Sequence, residues 1–166
     1  MDSELGLPFS RAHPETLTQI DIPRGCDLSL RIALLAESDP SLARQVYESY
    51  VGTFWSDGLI VDGFREWPDG VHRPANADSG PIIEGVGLAA SGLGIAAARA
   101  VGDERREAIL TAQAYEAVRN LPNLRALHDP EGVLPNDPGH FVTGFAVGDA
   151  ALLFALTWEP TARPGG

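Results

Sequence analysis

The sequence predicts an all-α chain of antiparallel helical hairpins with its long loops gathered at one end. Three observations predict it. Apolar residues recur at helical spacing in five stretches, most of these stretches open on a capping residue or a proline, and the connections alternate between very short and long. At 166 residues the chain has the size of one domain with a real core.

The first helix follows Asp27, an N-cap candidate, and carries Leu28, Leu30, Ile32, Leu34 and Leu35 to about Ser38. Asp39-Pro40, a cap followed by proline at the first helical position, opens the second, in which Leu42, Val46, Tyr50 and Phe54 recur every fourth residue to about Trp55. Pro81 opens a third helix rich in Gly and Ala that stops at Gly102. Asp103 caps the fourth, which places Ile109, Leu110, Ala114, Ala117, Val118 and Leu121 on one face. The fifth is apolar and spans roughly Phe141 to Trp158. Residues 1–22 read as an irregular N-terminal segment, 23–158 as the domain and 159–166 as a disordered tail.

In an antiparallel array successive connections fall alternately at opposite ends. The turns between the first and second helices and between the third and fourth are tight. The lead-in to the first helix, the segment 56–80 and the segment 122–139 are long, so these three share one end, and long loops in compact domains are where function concentrates.

Composition narrows the partners. Twelve basic against 23 acidic residues give a net charge of −11, which argues against nucleic acid and anionic membrane surfaces. Two stretches, Pro81 to Val101 and Gly139 to Trp158, approach the length of a membrane span, but Glu84, Arg99 and Asp149 interrupt them. Cys26 is the only cysteine, so no internal disulfide forms. The acidic N-terminus lacks the features of a signal peptide, and a cytoplasmic location is expected. No cofactor is expected either: Gly85-Val86-Gly87-Leu88-Ala89-Ala90 matches a dinucleotide pattern, yet the surrounding residues read as one continuous helix rather than strand–turn–helix. The expected role of Gly85, Gly87, Gly92 and Gly94 is to let neighbouring helices approach.

Local blocks add a resemblance. Gly63-Phe64-Arg65-Glu66-Trp67-Pro68, Ala77-Asp78-Ser79-Gly80-Pro81, the stretch ending Ala98-Arg99-Ala100-Val101-Gly102-Asp103, and Val147-Gly148-Asp149-Ala150-Ala151-Leu152-Leu153 resemble blocks of linalool dehydratase/isomerase-like bacterial proteins. These belong to the six-hairpin glycosidase-like superfamily of (α/α) toroids. Asn76 is a departure, because the relatives often place an acid two residues before the Asp of the Asp-Ser-Gly-Pro block. A closed toroid has about twelve helices, so the resemblance implies a partial (α/α) toroid, its C-terminal part, with open apolar edges that invite association with a second copy or with the missing hairpins.

Toroids of that kind use paired carboxylates near the rim, one as general acid and one as base or nucleophile. The densest candidate stretch is FREWPDGVHRPANADSGP, residues 64–81. Asp62, Glu66, Asp69 and Asp78 lie in or beside it, and Glu131 and Asp137 lie in the later loop. Glu66 and Asp78 are the expected catalytic pair, with Arg24, Asp62, Arg65, Trp67, His72 and His140 as substrate-binding residues and no metal. Alternation along an extended chain would put Phe64 and Glu66 on one side and Arg65 and Trp67 on the other. Plainer roles stand beside these. Asp78 could be a helix cap, Glu66 a partner of an arginine or of backbone groups that fixes the loop, Trp67 an anchor for its own loop and Cys26 a buried inert thiol.

Two functions therefore remain open. One is acid/base chemistry on a carbohydrate-like or small hydroxylated substrate, of the glycoside hydrolase or lyase/dehydratase type. The other is a non-catalytic toroid fragment serving as a binding or assembly unit.

Overall fold

The computed structural model describes residues 1–2, 4–76, 78–128 and 146–161, without the side chains of 117, 118, 120–128 and 146–148. Among these residues the chain is mixed α/β, with five helices and three small antiparallel sheets of two strands each. The expectation of an all-α partial toroid is thereby overturned. Strands of two or three residues carry no readable alternation, so hydrophobic periodicity passes over them.

The order is β1 (Arg11–Ala12), β2 (Gln19–Asp21), α1 (Gly25–Leu35), α2 (Pro40–Phe54), β3 (Trp55–Ser56), β4 (Gly63–Phe64), β5 (Ile82–Ile83), β6 (Val86–Gly87), α3 (Leu88–Val101), α4 (Glu104–His128) and α5 (Ala146–Thr157). The pairs are β1 with β2, β3 with β4 and β5 with β6. An isolated bridge from Arg65 to Val86 ties the second hairpin to the third.

Capping chemistry sets the two best-read starts. The Asp39 carboxylate accepts the Leu42 N–H at 3.0 Å, with Pro40 in the first turn. Asp103 accepts the Arg106 N–H at 3.1 Å and also holds the Tyr47 hydroxyl at 3.0 Å, so one side chain caps α4 and fastens it to α2. Gly102, at φ 76°, ends α3 in the left-handed region where glycine carries no Cβ penalty.

The third helix is where the expectation fails locally. Residues 82–87 are a hairpin, not the first turns of a helix from Pro81. Glu84 and Gly85 both have positive φ, 51° and 85°, as a tight two-residue hairpin turn of the right twist demands. The β-branched Ile82, Ile83 and Val86 suit the flanking strands, and α3 begins only at Leu88. Neither the first nor the fourth helix ends quite where the sequence suggests: α1 starts at Gly25 and stops at Leu35, while α4 continues to His128. Residues 129–145, with the expected loop acids Glu131 and Asp137 and the start of the fifth helix, lie outside the described residues.

The core is built around α3, which packs against α1, α2, α4, α5 and the strands β4 and β6. Its buried residues are mostly small: Ala90, Gly94, Ala96, Ala97, Ala98 and Ala100, with Ile95 and Val101. Small side chains on several faces let several neighbours approach one helix at once. An aromatic cluster fills the remaining space: the Phe64 ring stacks on Tyr50 at 4.2 Å between centroids and takes the edges of Tyr47 and Trp55. The N-terminal segment is part of this body. Leu7 is fully buried, and the Arg31 guanidinium donates to the carbonyls of Phe9 and Ser10.

Of the four glycines expected to admit neighbours, Gly94 meets the Phe64 ring and Gly87 meets the Glu66 side chain, Gly85 forms the hairpin turn, and Gly92 has open space. No described helix is long and apolar enough to cross a membrane. Gly94 and Gly92 provide an internal control for the packing of α3. A Cβ on Gly94 would lie 2.7 Å from the Phe64 ring, whereas one on Gly92 meets nothing within 4 Å among the described residues. Urea denaturation should show Gly92→Ala gaining up to about 1 kcal/mol from helix propensity and Gly94→Ala losing about 1–2 kcal/mol from overpacking. Equal stabilities would refute the close approach of β4 to α3.

Candidate functional site

The site forms where the chain enters α1 and where β4 runs on past Phe64 towards β5. The peptide units come first. The Gly25 N–H donates to the Glu66 carbonyl at 2.9 Å, and the Glu66 N–H donates to the Gly85 carbonyl at 3.1 Å. Residue 66 thus joins the start of α1 to the β5–β6 turn through its backbone alone. A Cβ on Gly25 would stand 2.0 Å from the Arg65 carbonyl oxygen, so only glycine permits this approach.

The side chain of Glu66 reinforces the junction. It is fully buried, and its Oε1 accepts from Arg24 Nε at 2.9 Å, lies 2.7 Å from Arg24 Nη2 and accepts from the Cys26 thiol at 3.2 Å. Three donors therefore converge on one oxygen, while Oε2 is buried with no hydrogen-bond partner among the described residues. A Cβ on Gly87 would come within 3.0 Å of Oε2, which places this carboxylate against the start of α3. Burial pushes the Glu66 carboxyl above the ordinary range, and the thiol and guanidinium only partly offset it. Burial, with the neighbouring carboxylate, pushes the Cys26 thiol up to about 12. The field of the helix start does not activate this cysteine.

Arg24 collects the second expected carboxylate too. Its Nη1 lies 3.6 Å from Asp78 Oδ2, and its Nη2 is 3.4 Å from Asn76 Oδ1. Asp78 is 77% exposed and caps no helix. The turn is organised instead by Asn76, whose Oδ1 accepts the N–H groups of Asp78 and Ser79 at 3.0 Å each, and by Ser79, whose Oγ accepts the Asn76 N–H at 2.9 Å. The residue that departs from the resembled block is thus the one that shapes the turn.

On the other side of the strand the residues face a different space. A cavity of about 150 Å³ is walled by Arg65, Trp67, His72, Arg73, Ile82 and Glu84, among others, and neither Glu66 nor Asp78 is in its wall. Trp67 is only 7% exposed; its ring carries the Arg24 guanidinium at 4.9 Å and that of Arg73 at 4.6 Å from its centroid. Its Nε1 is buried without a hydrogen-bond partner among the described residues. Arg73 is held by Asp21 at 3.0 Å, which also takes Arg11 at 3.1 Å, so the N-terminal hairpin braces the cavity wall.

Three of the expected substrate-binding residues, Arg65, Trp67 and His72, thus share one cavity. Arg24 belongs to the Glu66 junction. Asp62 closes its own loop by accepting the Gly58 N–H at 3.1 Å. His140 lies outside the described residues. Arg73, Glu84 and Asn76 were missed in the sequence, although each stands within a few residues of a turn signal. Among the described residues no three His, Cys, Asp or Glu side chains form a metal-binding group. No family model, curated protein or solved structure matches the chain.

Two outcomes follow from the junction. Glu66→Gln should lower the melting temperature by about 5–10 °C, because removing one partner of a buried ion pair strands the Arg24 charge; an unchanged melt would make Glu66 dispensable to the fold. Cys26 should react with a disulfide reagent at pH 8 at least about 100-fold more slowly in the native than in the denatured chain. The same shift works on stability: a thiol held at about 12 when folded, against 9.0 as its ordinary value, favours folding below pH 9. That contribution is lost as pH rises towards 12, and Cys26→Ala should lack this part of the alkaline loss in pH-dependent melts.

Proposed function

We propose that the chain is a non-catalytic unit that binds a small molecule in the Trp67 cavity. The observation that carries the reading is the division of labour along residues 64–67. Phe64 and Glu66 are fully buried in the frame, whereas Arg65 and Trp67 stand in the cavity wall beside His72 and Arg73. A concave space lined by an indole, aliphatic groups and a few polar side chains has the make-up of a ligand site.

Acid/base hydrolysis or dehydration by Glu66 and Asp78 has less support. A general acid must reach the substrate within hydrogen-bond distance, and Glu66 is fully buried with Oε1 committed to three donors. Both carboxylates are tied to the same Arg24 guanidinium, and neither stands in the wall of the cavity.

Ligand-observed NMR with a mixed set of neutral and charged fragments tests the reading. Bound fragments should be lost from Ile82→Trp, which fills the cavity, and retained by Asp62→Asn, a change outside its wall. Wild-type protein should turn over aryl glycosides no faster than Glu66→Gln. Turnover that disappears in a normally melting Glu66→Gln would establish the catalytic reading instead.

A further inference from the structure

We infer that the cavity takes a small monocarboxylate with an apolar body, held by Arg65 in place of the side chain of Asp69. The inference rests on the binding role proposed for the Trp67 cavity and names the class of its ligand.

Arg65 is the cation in the wall that is least committed. Its Nη1 lies 3.4 Å from Asp69 Oδ1, and Asp69 is 84% exposed. An ion pair with so exposed an acid is weak and easily exchanged. Arg73 is different, because its partner Asp21 is only 13% exposed and is shared with Arg11. Arg65 is also given room: Gly85, in the left-handed region at φ 85°, has no side chain, and a Cβ there would stand 3.2 Å from Arg65 Nη1. Asp69 is not itself part of the cavity wall, and at 84% exposure its carboxylate leaves the Arg65 guanidinium to a ligand carboxylate at little cost.

The rest of the wall sets the remaining chemistry. Glu84 is an acid in the wall, held by the Ile60 N–H at 3.3 Å, and Asp21 stands behind Arg73. These two charges oppose a dianion such as a phosphate ester while leaving one guanidinium for one carboxylate. Trp67, Pro68, Val71 and Ile82 supply apolar surface for the body of the ligand. A volume of about 150 Å³ matches a single small ring. Exposed His72 is a further polar group within the same wall.

Titration of the full chain with benzoate, benzamide and inorganic phosphate, followed by the indole N–H resonance of Trp67 and by calorimetry, tests the inference. Benzoate should bind at least about tenfold more tightly than benzamide, the value of a charge-assisted over a neutral contact, and phosphate should not compete. Asp69→Asn should tighten benzoate binding about two- to fivefold by removing the internal competitor. Arg65→Met should weaken it at least about tenfold with benzamide binding unchanged. Benzamide binding as well as benzoate, phosphate displacing benzoate, or Asp69→Asn leaving the benzoate affinity unaltered would each overturn the carboxylate assignment while the cavity remains a binding site. Failure of both ring compounds to perturb Trp67 would overturn the assignment together with the binding reading beneath it. The Asp69→Asn and benzamide arms decide the question without Arg65→Met, should that variant fold poorly.

Discussion

The architecture depends on one buried charge pair, Arg24 with Glu66. The two residues are 42 positions apart, and their contact brings the start of α1 against the segment that leaves β4. Two backbone hydrogen bonds at residue 66 extend the junction to the β5–β6 turn. A buried pair of this kind is poor evidence for net stability, since desolvation opposes its attraction, but it is strong evidence for a unique arrangement: any packing that separates the partners strands a charge in the interior. Cys26 and Gly25 belong to the same constraint, one as a third donor on Glu66 Oε1 and the other as the only residue small enough beside the Arg65 carbonyl.

The frame built on this junction explains why the neighbouring residues can face a ligand. With Phe64 sunk among Tyr47, Tyr50 and Trp55, and Glu66 sunk against Arg24, the intervening Arg65 and the following Trp67 must turn to the other side. The Trp67 ring is then fixed by two guanidiniums, one from the junction and one from the loop that Asp21 braces. The cavity wall is thus tied to buried structure at two points, and rigid support of that kind is what a small binding site needs to hold its geometry.

Particular residues show what the sequence can and cannot disclose. The start of α2 was legible because Asp39-Pro40 is a local signal read by the next turn of chain, and the same holds for Asp103 at α4. The alternation of residues 64–67 was legible too, since a period of two requires only that the backbone be extended. The hairpin at 82–87 was hidden because its β-branched residues run without a break into the Gly- and Ala-rich helix, and only Glu84-Gly85 marks the turn. The capping role expected of Asp78 has no helix to serve, because α3 begins only at Leu88, and Asn76 and Ser79 hold a turn there instead. Above all, the partner of Glu66 could not be read, because a contact across 42 residues leaves no periodicity in the chain.

A double-mutant cycle on Arg24→Met and Glu66→Leu, measured by reversible urea denaturation, tests the central claim that these two side chains act as one buried unit. Each single variant leaves the other charge unpaired and should be strongly destabilised, whereas the double variant replaces both with apolar groups. The predicted result is a coupling of at least about 1.5 kcal/mol, with the double variant more stable than the sum of the singles requires. Additive losses would contradict the claim and return Glu66 to the status of an independent side chain.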